Sequence, residues 1–193
     1  MAKPLVVIFA RAPRYGAVKT RLARDIGASE TLRFYRKVLG DLVRRLRRDG
    51  RFGIELAVTP DRVRDGWPPV RVIAQGPGDL GRRMVRALRG AGVRPTVVIG
   101  SDIPDITTAH VASAFAALGR APFVLGPARD GGYWLIGARH PQQMRASVLD
   151  GVRWSGAHTM RDTADRLGDV AVLDTVLDDI DDGAAYRRYL SRR

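Results

Sequence analysis

The residues best suited to chemistry fall in four short stretches and one acidic run. Val97-Val98-Ile99-Gly100-Ser101-Asp102-Ile103-Pro104 is a β-branched apolar run that stops abruptly in glycine, serine and aspartate. Ligands of open α/β sheets gather at the carboxyl ends of the strands, so such a strand offers Ser101 and the Asp102 carboxylate to a ligand crevice. A plain turn before a helix cap would use the same residues, and this stretch alone leaves both readings open. The second stretch, Phe9-Ala10-Arg11-Ala12-Pro13-Arg14-Tyr15-Gly16-Ala17-Val18-Lys19-Thr20-Arg21, leaves another apolar run and carries Arg11, Arg14, Lys19 and Arg21 around Gly16. Backbone amides of a glycine-bearing loop beside cations suit a di- or triphosphate. Arginine can grip phosphate oxygens in bidentate fashion, while lysine acts as a point charge. Lys19-Thr20 is not a Walker loop, because Val18 stands where that motif needs glycine. A solvated basic turn is the alternative.

In the third stretch, Gln75-Gly76-Pro77-Gly78-Asp79-Leu80-Gly81, the three glycines match the spacing of a dinucleotide fingerprint. Pro77 lies inside the tight turn, however, and a complete strand, loop and helix precede it, which argues against a Rossmann oxidoreductase. The fourth is Asp130-Gly131-Gly132-Tyr133-Trp134. Its diglycine permits close backbone approach or positive φ, and its aromatic pair could stack on a base or sugar. An Asp-Gly hairpin with core aromatics fits equally. The acidic run Asp174, Asp178, Asp179, Asp181 and Asp182 could cap a terminal helix through its dipole. It could also share a cation with Asp102, since hard cations such as Mg²⁺ take oxygen ligands. His110, His140 and His158 show no metal spacing, although Trp154-Ser155-Gly156, just before His158, could face a pocket. No nucleophile-elbow motif is present.

Composition bounds these options. The 193 residues, 45% hydrophobic and 27% charged, suit a single soluble domain spanning 1–193. The absence of cysteine excludes disulfides, thiolate metal sites and cysteine nucleophiles. A formal charge of +13 rests almost wholly on arginine, the only lysines being Lys3, Lys19 and Lys37. These cations are scattered, and neither a basic tail nor a nucleic-acid recognition module appears, so no nucleic-acid partner is expected. Met1-Ala2-Lys3-Pro4 runs into an apolar segment too short for a signal-peptide core or a membrane span. A cytoplasmic protein without stable membrane insertion is expected.

The elements that must position these residues alternate along the chain. Strands are expected at 4–10, 54–58, 70–74, 96–99, 123–125, 133–136 and 170–173. A loop containing Asp65-Gly66-Trp67-Pro68-Pro69 separates the second and third. Helices are expected from Ser29 as N-cap to about 48, after Gly81, over 108–118, over much of 141–168 with a break at Trp154-Ser155-Gly156, and over 183–190. The alternation predicts a three-layer α/β/α sandwich with a mostly parallel sheet.

The order Phe-Ala-Arg-x-Pro-x-x-Gly-x-Val-Lys-Thr-Arg-Leu, Gly-Asp-Leu-Gly-x-Arg-Met, Gly-Ser-Asp-x-Pro and Asp-Gly-Gly-Tyr-x-Leu-Ile-Gly resembles one bacterial family. It is that of small GT-A-type glycosyltransferases named as radical-SAM/selenodomain-associated transferases, in the nucleotide-diphospho-sugar transferase superfamily. The resemblance runs from Val6 to about Asp182. It implies a metal-dependent transferase that uses a nucleotide-diphospho-sugar and a small-molecule acceptor. The alternative is a nucleotidyltransferase that releases pyrophosphate from an NTP. A Rossmann oxidoreductase or a nucleic-acid-binding module is a remote rival. By the resemblance, the loop of Arg11, Gly16, Lys19 and Arg21 holds nucleotide phosphates, with Ser101 beside it. Gln75, Gly78, Asp79 and Gly81 line base and ribose. Asp102 is the metal-associated acid, for Mg²⁺ or Mn²⁺. Asp130 and Tyr133, with Gly131, Gly132 and Trp154, face the sugar or acceptor, and Asp130 is the candidate general base. Asp179-Ile180-Asp181 resembles an Asp-x-Asp-Thr-Pro segment whose second acid, Asp181, reaches the same metal. Here Asp182-Gly183 replaces the Thr-Pro.

Overall fold

Strands apolar on both faces need a helical layer on each side, because neither face tolerates water. The computed structural model, which describes residues 3–62 and 66–192, meets that need with seven strands. They are β1 (Leu5–Arg11), β2 (Gly53–Thr59), β3 (Arg71–Ala74), β4 (Thr96–Gly100), β5 (Phe123–Pro127), β6 (Tyr133–Ala138) and β7 (Val170–Val172). The helices are α1 (Thr20–Ile26), α2 (Ala28–Asp49), α3 (Leu80–Gly90), α4 (Thr108–Leu118), α5 (Thr159–Leu167) and α6 (Gly183–Ser191).

The sheet order is β3-β2-β1-β4-β6-β5-β7. β1 pairs in parallel with both β2 and β4, while β6 alone runs antiparallel, between β4 and β5. Alternate residues of one strand serve opposite layers. Val6, Ile8 and Ala10 pack with Tyr35, Leu39 and Leu42 of α2 and Val111 and Ala114 of α4. Leu5 and Val7 pack with Met84, Val85 and Leu88 of α3 and Leu167 of α5. A satellite core joins Leu22 of α1, Phe34 and Val38 of α2, Tyr189 of α6, and Ile180 just before α6.

Because β2 and β4 flank β1, the chain leaves β1 in one direction and later returns on its other side. That reversal opens a crevice at the carboxyl ends of β1 and β4. The turns after β1, β3, β4 and β7 and the β5–β6 connection all emerge on this edge, so every stretch singled out in the sequence reaches it.

Three local expectations need correction. The basic loop ends at Lys19, where α1 begins, and α2 opens at Ala28 with Gly27 as its N-cap, so Ser29 lies inside the helix. Gly27, with φ 84°, closes α1 by donating to the Ala23 carbonyl and accepts the Thr31 hydroxyl at 2.9 Å. A glycine corner does what a serine cap was expected to do. The segment 141–168 is helical only in a 3₁₀ turn, Pro141–Gln143, and in α5. Between them, Gly151 at φ 82° and Ser155 at φ 62° turn the chain so that Leu149 and Val152 are buried. Asp65 of the expected β2–β3 loop lies outside the described residues.

Candidate active site at the carboxyl edge of the sheet

The loop after β1 is held from below by α2. The Tyr35 hydroxyl accepts the Arg11 N–H at 2.9 Å and lies 3.0 Å from both the Arg11 carbonyl and Ser101 Oγ. Arg36 donates to the Pro13 carbonyl at 3.2 Å. One buried phenol therefore ties the ends of β1 and β4 together, and burial raises its pKa above the ordinary value.

At the end of this loop Lys19 adopts a left-handed conformation, φ 45° and ψ 59°. That conformation is costly for a residue with a Cβ, and such strain gathers at functional sites. Its side chain, only 5% exposed, places the ammonium 2.9 Å from Asp102, 2.6 Å from Asp181 and 3.7 Å from Asp179. Burial alone would ease the proton off, but Asp102 and Asp181 outweigh it and hold the ammonium charged. Burial, with Asp102 and Asp181 nearby, pushes the Asp179 carboxyl up to about 7 against the pull of Lys19. Burial also opposes ionisation of Asp181, but Lys19 overrides it and holds that carboxyl below the usual range.

The two C-terminal acids arrive by a strap. After β7 the chain runs extended along the sheet edge, Leu177 donating to the Pro127 carbonyl at 3.2 Å and Ile180 to that of Asp102 at 3.4 Å. In extended chain, alternate side chains face opposite ways. Ile180, 4% exposed, enters the satellite core, so Asp179 and Asp181 on either side of it turn toward Asp102. The neighbouring acids do other work. Asp182 caps α6 by accepting the Ala185 N–H at 2.7 Å, and Asp178 pairs with Arg129 at 2.8 Å. Capping and cation binding, alternatives in the sequence, divide the run between them.

One oxygen each from Asp102, Asp179 and Asp181 falls within 4.8 Å of the others. Three hard carboxylates so close fit a divalent cation, and the Lys19 ammonium stands among them as a cationic stand-in. Two lobes meet here, sharing Phe9, Leu80, Asp102 and Asp181. The smaller, about 430 Å³, is lined by Arg11, Lys19, Arg21, Gln75, Arg83 and Ser101. The larger, about 620 Å³, has apolar and aromatic walls including Met84, Tyr133 and Trp154, with Asp130 and Gly132 at its mouth.

Several of the remaining candidates do not line the lobes. Gly16, Gly78, Asp79, Gly81 and Gly131 line neither lobe. Asp79 is the N-cap of α3, accepting the Arg82 N–H at 2.9 Å. Gly81 is the seat of Trp154, since a Cβ there would stand 2.5 Å from Trp154 Cζ2. Gly131, at φ 84°, would meet the Ala157 backbone at 2.5 Å, and its carbonyl accepts the Met160 N–H at 2.9 Å. The β5–β6 turn and the Trp154 loop are thereby zipped together. The Gln75 amide is turned inward, donating to the carbonyls of Ala57 at 2.9 Å and Ala10 at 3.3 Å. Of the aromatic pair, Trp134 is core, its indole N–H bound to the Thr175 carbonyl at 3.1 Å. Tyr133 lies 3.8 Å from Met84 Sδ by its hydroxyl, and burial raises its pKa. Sequence reasoning named Asp179 within the acidic run that could share a cation with Asp102, but within that run the metal assignment fell on Asp181 alone. It did not single out Arg83, Leu80 or Tyr35.

A reversed strand inside an otherwise parallel seven-stranded sheet, with its loops gathered over one edge, defines the nucleotide-diphospho-sugar transferase type of α/β fold. The crystal structure of a Desulfovibrio desulfuricans G20 protein, provisionally described as a nucleotide-diphospho-sugar transferase, matches with a TM-score of 0.83. The two are 30% identical over 94% of this chain and 84% of that one. At the level of fold alone, Rv0371c from Mycobacterium tuberculosis H37Rv, in complex with manganese, matches at TM-score 0.55 and 17% identity over 100% of both chains. The 2-C-methyl-D-erythritol 4-phosphate cytidylyltransferase of Thermus thermophilus matches at 0.58 and 14%, again over 100% of both. No functionally curated protein matches this chain. The chain belongs to the family described as "Uncharacterized protein conserved in bacteria (DUF2064)", whose family model matches residues 42–156.

Proposed function

We propose that this protein is a metal-dependent transferase acting on a nucleotide-activated donor, and specifically a glycosyltransferase using a nucleotide-diphospho-sugar. The observation that carries this reading is the cluster of Asp102, Asp179 and Asp181 around a buried cation, where a basic lobe meets an aromatic one. Arg11, Arg21 and Arg83 suit the donor's phosphates, and Gln75 and Ser101 stand beside them. Asp102, Asp179 and Asp181 would hold Mg²⁺ or Mn²⁺, which when bound neutralises charge on a departing phosphate. Lys19, freed from the carboxylates, would carry its charge to the same oxygens. Asp130, whose carboxylate accepts the Gly132 N–H at 2.9 Å, would take the proton of an acceptor hydroxyl.

A second reading has support in the four cations of the smaller lobe, a charge suited to a triphosphate. A nucleotidyltransferase would release pyrophosphate from an NTP, whereas the glycosyltransferase releases a nucleoside diphosphate. Melting temperatures measured with UDP- and GDP-sugars and with NTPs, each with and without Mn²⁺, separate the two, since a ligand of the native state raises stability. The expected result is a metal-dependent shift by a nucleotide sugar that Asp102→Ala abolishes. An unchanged shift in Asp102→Ala removes the metal role, and a shift by NTPs alone favours nucleotidyl transfer.

A further inference from the structure

Resting on the transferase reading, we propose that the larger lobe takes an acceptor that is uncharged or cationic, rich in hydroxyl or amine donors and apolar on one face. Phosphate esters and carboxylates are excluded. The two lobes differ in charge. The smaller offers Arg11, Lys19, Arg21 and Arg83. Six carboxylates line the larger, Asp102, Asp130, Asp178, Asp179, Asp181 and Asp182, against Arg129, Arg188 and the one Lys19 ammonium that Asp102, Asp179 and Asp181 share. Arg129 is already engaged by Asp178, at 2.8 Å from its side chain and 3.1 Å from its backbone N–H. An ionised carboxylate only accepts hydrogen bonds, so this rim rewards donors and repels anions. A dication on three of the acids would be matched by the donor's phosphates, so the lobe stays acidic when loaded.

The apolar wall is built in advance. Trp154 rests on Gly81, and the Gly131–Ala157 contact fixes the turn beside it. Lys19 and Ser155 are the two non-glycine residues with positive φ among those described, and one lies at each lobe. Strained backbone held by such packing presents the indole as a fixed platform, and the apolar face of a ring can stack on it.

The test is isothermal titration of the full chain in EDTA, without nucleotide, using phenyl β-D-glucopyranoside and phenyl phosphate as matched probes. The glucoside is expected to bind at least about tenfold more tightly. Asp130→Asn, whose side-chain oxygen can still accept the Gly132 N–H, should narrow that gap. Trp154→Leu, which keeps an apolar group over Gly81, should weaken the glucoside. Phenyl phosphate binding as tightly as the glucoside overturns the proposal, as does binding of neither probe. An unchanged gap in Asp130→Asn, or an unchanged affinity in Trp154→Leu, also overturns it. A parallel titration of the same preparation with UDP and Mn²⁺ reports on the transferase reading, so the two failures remain distinct.

Discussion

An ammonium 2.9 Å from Asp102 and 2.6 Å from Asp181 fills the space in which three carboxylates would otherwise repel one another. Lys19 thus stabilises the site and competes with any divalent cation for it. Lys19→Met should raise affinity for Mn²⁺ alone by about tenfold, because a competitor is removed. It should also weaken nucleotide binding, because a phosphate partner is lost. The cost in stability should be about 1 kcal/mol, since Asp179 and Asp181 are 43% and 50% exposed and water screens their repulsion. Titration of Mn²⁺ with and without nucleotide checks both signs. At this scale Asp102 and Lys19 were legible, being chemically apt residues at strand ends. Their mutual contact was not, because nothing in the order of residues says that a loop cation turns back onto a carboxylate 83 positions later.

Elements hold the walls through glycines chosen for what lies against them. At Gly81 an added methyl meets Trp154 Cζ2 at 2.5 Å and Leu149 Cβ at 3.1 Å. Gly81→Ala should cost about 1–3 kcal/mol in denaturant unfolding through overpacking. It should also shift Trp154, read as a changed tryptophan emission. The resemblance offered Gly81 as a nucleotide contact, and in the structure it is the seat of Trp154. α4 lies at the expected residues, with Thr107 accepting the His110 N–H at 3.2 Å. The segment 144–158 was not legible, because its apolar residues satisfy a helical period while Gly151, Trp154 and Ser155 answer to tertiary contacts.

Across the whole molecule the C-terminal strap closes the site. Phe34 lies edge-on to Tyr186 and Tyr189 at 5.1 and 5.4 Å, and Asp25 accepts the Gly183 N–H at 2.7 Å. Phe34→Ala should cost about 3–5 kcal/mol. It should also lower Mn²⁺ affinity, although Phe34 lines neither lobe, because the strap carries Asp179 and Asp181. Wild-type Mn²⁺ affinity in a folded Phe34→Ala would show that the acids need no strap. The formal charge of +13 gives an attractive field to polyphosphates. Nucleotide association should therefore slow by about tenfold between about 0.05 and about 0.5 M salt in stopped-flow measurements.

By itself the sequence determined the layers, the strand-to-helix alternation and the kinds of residue delivered to one edge of the sheet. Burial patterns and turn residues are local properties, and local properties survive in a linear text. The family followed from four motifs in series for the same reason. Tertiary structure decided which of those residues meet. It reversed β6 and ran the chain after β7 back across the crevice, turning Asp179 and Asp181 toward Asp102 by burying Ile180 between them. It also set the charged loop lysine inside the acids rather than in the open. The seating of the strap depends on packing between segments more than a hundred residues apart, and no spacing along the chain encodes it.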